Sequence, residues 1–264
     1  MKYPIVQKTV HHHKMNRTQF KRKIVELEAI AARLAKKTSL QQRSQILRIQ
    51  DVISAKLDQI IVAAMSPGDI TTITKRVELT NLIRSEMTNL SISQKASVDK
   101  LVTTIYNTNR QEISKLFNRS FDVTNDYQVK ALMNVGVNGK PYSSRIYSNN
   151  NIIGERINKD ITRMLYDKAN PYDIKQALRK DLDISWNAAD RLVRTEGSRF
   201  YNTAALDSYK DAGLQEVEWL TEQDDRLCEI CGPLDGQRFP INSTLLPPND
   251  SHVNCRCTVL PVIE

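Results

Sequence analysis

No cysteine occurs in the first 227 residues of this sequence, and all four cysteines lie between positions 228 and 257. A disulfide framework would spread its cysteines along the chain, so this distribution predicts a single local site instead. Long apolar runs are also missing, because no stretch approaches the ~20 residues that a membrane helix needs. The first residues, MKYPIVQKTVHHHK, lack the apolar core of a secretory signal. We therefore expect no membrane association, and a protein that stays in the cytosol until assembly carries it elsewhere.

Acidic residues are scarce at the start of the chain. Residues 1–50 contain twelve Lys and Arg but only two acids, Glu26 and Glu28, so this segment carries +10 whereas the whole chain carries +8. Such a block predicts contact with a polyanion or an acidic protein surface, or else a solvated face of a Lys-rich helix. Its aromatic residues are Tyr3 and Phe20 alone. Stacking of single-stranded bases along it is therefore not expected.

Apolar residues recur with a helical period over residues 1–120, which we interpret as a basic helical arm or domain. The pattern predicts a helix over 17–65, stopped by Ser66-Pro67-Gly68, and further helices over 70–90 and 93–118. The apolar stripe of the first helix steps by three or four residues: Ile46, Ile49, Ile53, Leu57, Ile60 and Ala64. Helices with such long polar faces need a partner surface, either each other or another subunit.

A loop or linker is predicted for residues 121–151, which contain Gly136, Gly139, Pro141 and three consecutive asparagines. We place a domain boundary near 120–140.

The helical period returns from residue 152, where a third region, 152–264, is predicted to begin. Asn170-Pro171 ends one helix and begins the next, and Ser185 is predicted to cap a longer helix, 186–211, that Gly213 closes. Strands and turns follow, at 217–220, Asp235-Gly236 and 257–260. The predicted fold class is therefore α+β, with predominantly helical N-terminal and middle regions and a small β-rich C-terminal module.

The last fifty residues hold side chains with metal-ligand spacing. Two residues separate Cys228 from Cys231, and two separate His252 from Cys255, so each pair can reach one ion from a tight turn. Cys257 is a fifth candidate, because on a strand it projects to the same face as Cys255. Two ligand sets stay open: the first pair with both later cysteines, or the first pair with His252 and one later cysteine. Free buried thiols or one disulfide are the alternative to a metal.

Thiolate and imidazole groups at tetrahedral spacing favour Zn²⁺ over Mg²⁺ or Ca²⁺. Five candidates more than fill four coordination positions, which leaves no place for a catalytic water. The predicted role is therefore structural, with zinc as the staple of a module that has little core of its own. A metal-dependent nuclease or toxin-like domain is the alternative, but it needs a histidine base, and His252 lies among the cysteines. His11, His12 and His13 are adjacent, so they do not share one helix face and are interpreted as a basic terminus or an expression remnant.

Several short motifs follow one another after residue 140. They are Tyr142-Ser143-Ser144-Arg145-Ile146-Tyr147, Arg191-Leu192-Val193-Arg194-Thr195-Glu196, Asn202, Ala204-Ala205, Tyr209, Gly213, Trp219, Thr221, Asp224-Asp225-Arg226, Cys228, Cys231, Leu234-Asp235-Gly236, Phe239, Pro247-Pro248, His252, Asn254-Cys255-Arg256-Cys257 and Pro261. In this order the sequence over about 140–262 resembles the phage head morphogenesis family, also described as phage Mu protein F-like or minor capsid proteins.

The resemblance implies a virion component present in few copies, at the portal vertex or in the head interior, that supports head assembly and DNA packaging or delivery. Its implied partners are the portal protein and other head proteins, and the basic N-terminal segment is expected to bind either the portal or double-stranded DNA. The resemblance implies no enzymatic activity, and localisation in the phage head after assembly in the host cytoplasm. A zinc-finger adaptor unrelated to phages is a third hypothesis, which the few basic residues of the tail, Arg226, Arg238 and Arg256, disfavour.

The tract Arg194-Thr195-Glu196 has two interpretations. In the first, Arg194 and Glu196 pair with the Asp224-Asp225-Arg226 turn and hold the helix against the cysteines. In the second, Arg191, Arg194 and Arg199 contact DNA. The uneven spacing of the three arginines favours the first. Trp219 is predicted to be a core residue.

Overall fold

The computed structural model describes residues 16–64, 69–121, 126–222, 229–243, 246–248 and 251–263. In these ranges five α-helices precede a small sheet. The helices are α1 (Arg17–Ala64), α2 (Asp69–Leu116), α3 (Asp126–Asn134), α4 (Tyr142–Tyr166) and α5 (Pro171–Asp211). The strands are β1 (Glu216–Leu220), β2 (Arg238–Pro240) and β3 (Thr258–Pro261). The α+β class predicted from the sequence is confirmed. None of the helices described is long and apolar enough to cross a membrane.

The four long helices form an antiparallel bundle in which α2 and α5 lie at the centre. Helices α2 and α5 pack against each other, and both also pack against α1 on one side and α4 on the other. Helices α1 and α2 have 48 residues each, so each is about 72 Å long. Helix α5 begins as predicted, because Asn170 accepts the backbone N–H of Tyr172 and Pro171 occupies the first turn. It ends at Asp211, and Gly213, two residues further on, has a φ of 82° that suits glycine.

Two separate apolar cores fill the bundle. The proximal core lies next to the sheet and takes residues from 20–35 of α1, 98–113 of α2, 142–146 of α4 and 192–209 of α5. The distal core lies at the other end and takes residues from 46–60, 79–90, 153–161 and 174–182 of the same four helices. Each core therefore contains residues from both sides of the boundary predicted near 120–140.

A layer of polar side chains lies between the two cores, and we call it the polar layer. Asn150 of α4 is at its centre and is buried. Its Nδ2 donates to Ser91 Oγ at 3.1 Å and to Gln94 Oε1 at 2.8 Å, both on α2. Its Oδ1 accepts the hydroxyl of Ser185 of α5 at 3.2 Å. One asparagine therefore joins three helices through buried hydrogen bonds.

Helix α1 joins the same layer through three further hydrogen bonds. Gln42 donates to Ser97 Oγ at 2.9 Å, and Gln45 donates to Ser93 Oγ at 2.7 Å, both across the α1–α2 contact. Ser39 donates to Asp190 of α5 at 2.5 Å. Sliding any one helix would place these groups against apolar side chains, so the layer fixes the mutual register of the bundle.

The polar layer explains three errors of the sequence prediction. The predicted helices 70–90 and 93–118 are one continuous α2, and Ser185 lies inside α5 rather than at its start. The predicted loop over 121–151 instead holds α3, a 3₁₀ turn at Val137–Gly139 and the first turns of α4. Ser185 was predicted to be a helix cap and Asn150 was part of the asparagine run predicted to be a loop, but both turn inward, where Asn150 pairs with Ser185 and with Ser91.

The C-terminal module, residues 216–263, is a three-stranded antiparallel sheet with its connecting turns. The strand order is β2-β1-β3. Strands β1 and β3 match the predicted strands, whereas the short β2 was not predicted. The module also contacts the start of α1. There Nη2 of Arg17 donates to both carboxylate oxygens of Glu218, at 2.5 and 2.7 Å. The basic N-terminal helix is therefore attached to the module at its first turn.

Candidate metal centre

The turns before β2 and β3 bring three of the predicted ligands together. Cys231 lies just before a 3₁₀ turn at Gly232–Leu234, and His252 and Cys255 lie in the turn that leads into β3. One ligand atom from each of these three residues lies within 4.8 Å of the other two. The sulfurs of Cys231 and Cys255 are 3.8 Å apart. Two turns distant in sequence therefore face one point, which is the arrangement that a single ion requires.

Cys257 lies beside this group, and Cys228 lies outside the described residues. The backbone N–H of Cys257 donates to Cys255 Sγ at 3.4 Å. Both ligand sets predicted from the sequence include Cys228, so the choice between them stays a prediction.

Hydrogen bonding between Cys255 and Cys257 shifts the pKa values of their two thiols in opposite directions. The hydrogen bond from the Cys257 side chain lowers the pKa of the Cys255 thiol, although burial opposes this. The same hydrogen bond, together with burial, raises the pKa of the Cys257 thiol. Cys255 is therefore the more readily ionised of the two, and thiolate is the form that binds metal.

Trp219 forms the apolar side of the centre. It is fully buried and packs with Cys231, Cys255 and Cys257 in a small cluster, to which Leu234 and Phe239 add contacts. Its predicted place in a core is therefore confirmed. The cluster is separate from the two cores of the bundle, so the turns that carry the cysteines have few apolar contacts of their own. A metal would supply cross-links that this packing lacks.

Helix α5 holds the turn and the strand that follow His252. Three residues of α5 at intervals of seven, Thr195, Asn202 and Tyr209, lie on one face of the helix. Tyr209 donates its hydroxyl to the carbonyl of Val259 at 3.2 Å. Asn202 donates to the carbonyl of Cys257 at 3.1 Å and accepts the hydroxyl of Thr258 at 2.9 Å.

Thr195 makes the first of these contacts, nearest the ligands. Its hydroxyl accepts the backbone N–H of Asn254 at 3.0 Å and donates to the carbonyl of Arg191 at 2.7 Å. Sequence reasoning named Thr195, Asn202 and Tyr209 as motif residues but missed this role. Their spacing of seven residues on a helix, together with their polarity, is the signal that could have revealed it.

The structure corrects the interpretation of Glu196 and Arg194. Glu196 is fully buried and pairs with Arg145 of α4 and with Arg199 Nε, the latter at 2.8 Å. Arg194 pairs with Asp190 on its own helix at 2.5 Å. The Asp224-Asp225-Arg226 turn that was expected to pair with them lies outside the described residues. Thr195, between the two, is the member of the tract that contacts the metal-centre turn.

The interpretation of Arg199 as a DNA contact is also corrected, because this side chain does not face solvent. Its guanidinium is buried, bonds to Glu196, and donates to the carbonyl of Leu132 at 3.0 Å, which holds α3 against α5. A DNA contact through Arg199 would have to break this buried ion pair. The arginine set proposed for DNA therefore does not form one surface.

Fold and site together define a class: a long helical bundle whose last helix carries a small β module with a Cys and His cluster. Residues 155–260 match the family described as Phage Mu protein F like protein. The match covers less than half of the chain, and over that segment it confirms the resemblance seen in the sequence. The match includes Thr195, Asn202 and Tyr209 as well as Cys231, His252 and Cys255. It supports a role in phage head morphogenesis and a phage-associated protein.

One similar curated protein is the NAD(+)--arginine ADP-ribosyltransferase EFV of Enterococcus faecalis (strain ATCC 700802 / V583), which is 23% identical over 158 residues. The alignment covers 54% of this chain and 32% of that protein, so the chain spans about a third of the relative's length. No solved structure matches the chain.

Proposed function

We propose that this protein is a structural minor capsid component of a tailed phage or prophage. It is associated with the portal or the head interior and supports head assembly and DNA packaging or delivery. The observation that carries the proposal is the family match over 155–260, because it contains the whole described cysteine cluster and the face of α5 that holds it. The C-terminal module is thus held against α5 and is not an independent zinc finger.

The metal centre is proposed to bind one zinc ion as a structural staple. Two cysteines and one histidine converge there, and thiolate with imidazole is a donor set that suits zinc. The His252 Nδ1 lies 3.0 Å from the carbonyl of Val253. In the tautomer that donates from Nδ1, the lone pair of Nε2 is free to bind the ion, as in many zinc-bound histidines. The fourth ligand is a further cysteine, Cys257 or Cys228.

No enzymatic activity is proposed for the module. A fourth cysteine closes the coordination sphere, and a closed zinc site has no position for a catalytic water. The alternative, a metal-dependent nuclease or toxin-like domain, requires an activity that is lost in a folded His252→Ala variant. Incubation of the full chain with duplex DNA and RNA, and separately with NAD⁺ and protein arginine, tests this. Turnover in any of these assays would contradict a purely structural role.

The proposal is tested by deletion of the gene from its phage or prophage and complementation with a tagged copy. Heads purified from the complemented strain are expected to contain the chain at far lower abundance than the major capsid protein. Complementation with Cys231→Ser should reduce the amount of chain in heads, whereas Ser243→Ala, in a turn of the same module, should not. Normal numbers of infectious, DNA-filled heads without the chain would contradict the proposal.

A further inference from the structure

The exposed side of α1 between residues 33 and 48 combines positive charge with exposed leucines. Arg33, Lys36, Lys37, Leu40, Gln41 and Ser44 line one shallow groove on this side. Leu47 follows Leu40 by seven residues and so lies on the same face. We call this the Leu40–Leu47 face. It extends over about 22 Å of helix, or four turns.

The two leucines lie about half exposed on this face. Leu40 is 52% exposed and Leu47 is 47% exposed. The buried side of the same helix is already complete, because Gln42 and Ile46 are buried there. About half of each leucine therefore stays uncovered by the bundle, and their spacing of seven residues matches one apolar position of the heptad by which one helix packs against another.

Charge on this side of the helix has one sign. Residues 29–50 contain no Asp or Glu, and in the described part of the chain Arg33, Lys36 and Lys37 have no ion-pair partner. The arginines at the edges are engaged elsewhere. Arg43 lies over the ring of Trp186 of α5 at 4.4 Å, and Arg48 pairs with Glu86 of α2 at 2.9 Å. Lys36 and Lys37 flank the line of the leucines, Arg33 lies on that line seven residues before Leu40, and the charge of all three is available to a partner.

We propose that the Leu40–Leu47 face is the docking site for an acidic amphipathic helix of another protein. This inference rests on the proposed function, because it names the chemistry of the partner that the basic N-terminal segment binds. An apolar seam on the partner covers the two leucines, and acidic residues beside that seam meet Arg33, Lys36 and Lys37. The long stems of these cations also cover apolar surface, which extends the contact.

Duplex DNA fits this face less well than such a helix. Phosphates would meet the three cations, but the centre of the face is occupied by leucines, which offer nothing to a phosphate backbone. A second copy of the chain fits less well too, because two faces of the same positive charge would meet. Charge and apolar spacing together thus favour an acidic helix.

The test measures binding of the full chain to a synthetic helical peptide. The probe has four heptads, with Leu at positions a and d and Glu at e and g, and a control peptide carries Lys at e and g. Wild-type chain is expected to bind the acidic peptide and not the basic one. Leu40→Ser/Leu47→Ser and Lys36→Glu/Lys37→Glu are each expected to weaken binding by about tenfold or more. The control Ile152→Ser changes an exposed apolar residue of α4 and should leave binding unchanged.

Three results would overturn the inference. One is no binding of the acidic peptide by wild-type chain. Another is equal weakening by Ile152→Ser and by the leucine pair. The third is tight binding of a 24-base-pair duplex that the charge variant abolishes and the leucine variant leaves intact, which would identify the face as a DNA surface.

Counting the same variants in purified heads separates this inference from the proposed function. If the wild-type chain is present in heads but does not bind the peptide, the docking inference fails and the proposed function stands. If the chain binds the peptide through both leucines but is absent from heads, the proposed function fails and the docking chemistry stands.

Discussion

The hydroxyl of Thr195 on α5 accepts the backbone N–H of Asn254, at 3.0 Å, in the turn between two predicted metal ligands. Asn254 has a φ of 67°, a left-handed conformation that asparagine tolerates better than most residues. The next N–H in the turn, that of Cys255, donates to the carbonyl of His252 at 3.2 Å. A helix residue therefore fixes the backbone that presents His252 and Cys255 to the metal centre.

Replacement of Thr195 by valine should destabilise the protein. Valine keeps the shape but leaves the N–H of Asn254 without its acceptor, which costs about 1–3 kcal/mol. Affinity for zinc should fall by roughly tenfold, because the ligand turn loses its support. Urea denaturation and competition with a zinc chelator measure the two effects. Thr203→Val is the matched control, since the Thr203 hydroxyl bonds only within α5, to the carbonyl of Arg199 at 2.9 Å. An equal loss in both variants would contradict the role of Thr195.

Much of this arrangement was predictable, for identifiable reasons. The cysteine and histidine spacing indicated one site, because short-range spacing survives folding unchanged. Gly213 and Asn170-Pro171 marked helix ends through local backbone chemistry, and the structure places both as predicted. The exact partners of Glu196 were not predictable, because Arg145 is 51 residues away in sequence and no local pattern connects them.

The polar layer was the main source of error because local sequence does not reveal which way a polar side chain faces. A serine within a helix looks the same in sequence whether it meets solvent or a buried asparagine. The roles of Ser91 and Ser185 depend on their hydrogen bonds with Asn150, which lies on a third helix. Ile73 and Val77 of α2 show the reverse case, because both are apolar residues at helical spacing and yet both are largely exposed.

Replacement of Asn150 by leucine should weaken the bundle, although leucine is the more apolar residue. The change leaves Ser91, Gln94 and Ser185 buried without their partner, at a cost of about 1–3 kcal/mol. Hydrogen exchange should speed up most in the distal core, which the layer joins to the rest. Asn151→Leu is the control, because the Asn151 side chain is exposed and bonds only to Glu155. A more stable Asn150→Leu protein with unchanged exchange would show that the layer does not fix the register.

Loss of the Glu196 charge should be far more costly than loss of a surface carboxylate. Glu196→Gln leaves the buried Arg199 uncompensated, which typically costs about 3–5 kcal/mol. The control Glu112→Gln removes an exposed pair with Lys115, and such pairs contribute about 1 kcal/mol or less. The midpoints of urea denaturation give both values. Similar small effects for the two variants would contradict a structural role for the ion pair.

Stability should depend on pH through Glu28, which lies near Glu222 and Arg256 of the module. Burial, and then the charge of Glu222, raise the pKa of the Glu28 carboxyl from 4.5 to about 7. The folded state thus holds this proton more tightly than the unfolded chain. The stabilisation is complete below pH 4.5 and is lost as the pH rises through about 7.

Glu28→Gln removes this titration, because glutamine stays neutral. The variant should match the wild type near pH 4.5 and exceed its free energy of unfolding at pH 8 by about 2 kcal/mol. Urea denaturation at several pH values measures the difference. Glu26→Gln is the control, since Glu26 is exposed and Lys23 lowers its pKa. A difference between Glu28→Gln and wild type that does not grow with pH would refute this assignment.

The most direct test of the account is the metal content of the purified full chain, measured by native mass spectrometry. We predict one zinc ion per wild-type chain. We predict none in Cys231→Ser or Cys255→Ser, because each variant loses a ligand that converges on the centre in the structure. Zinc should remain bound in Thr203→Val, which does not touch the module. Wild-type chain that folds without metal, or zinc that persists in both cysteine variants, would contradict the claim that this centre staples the module.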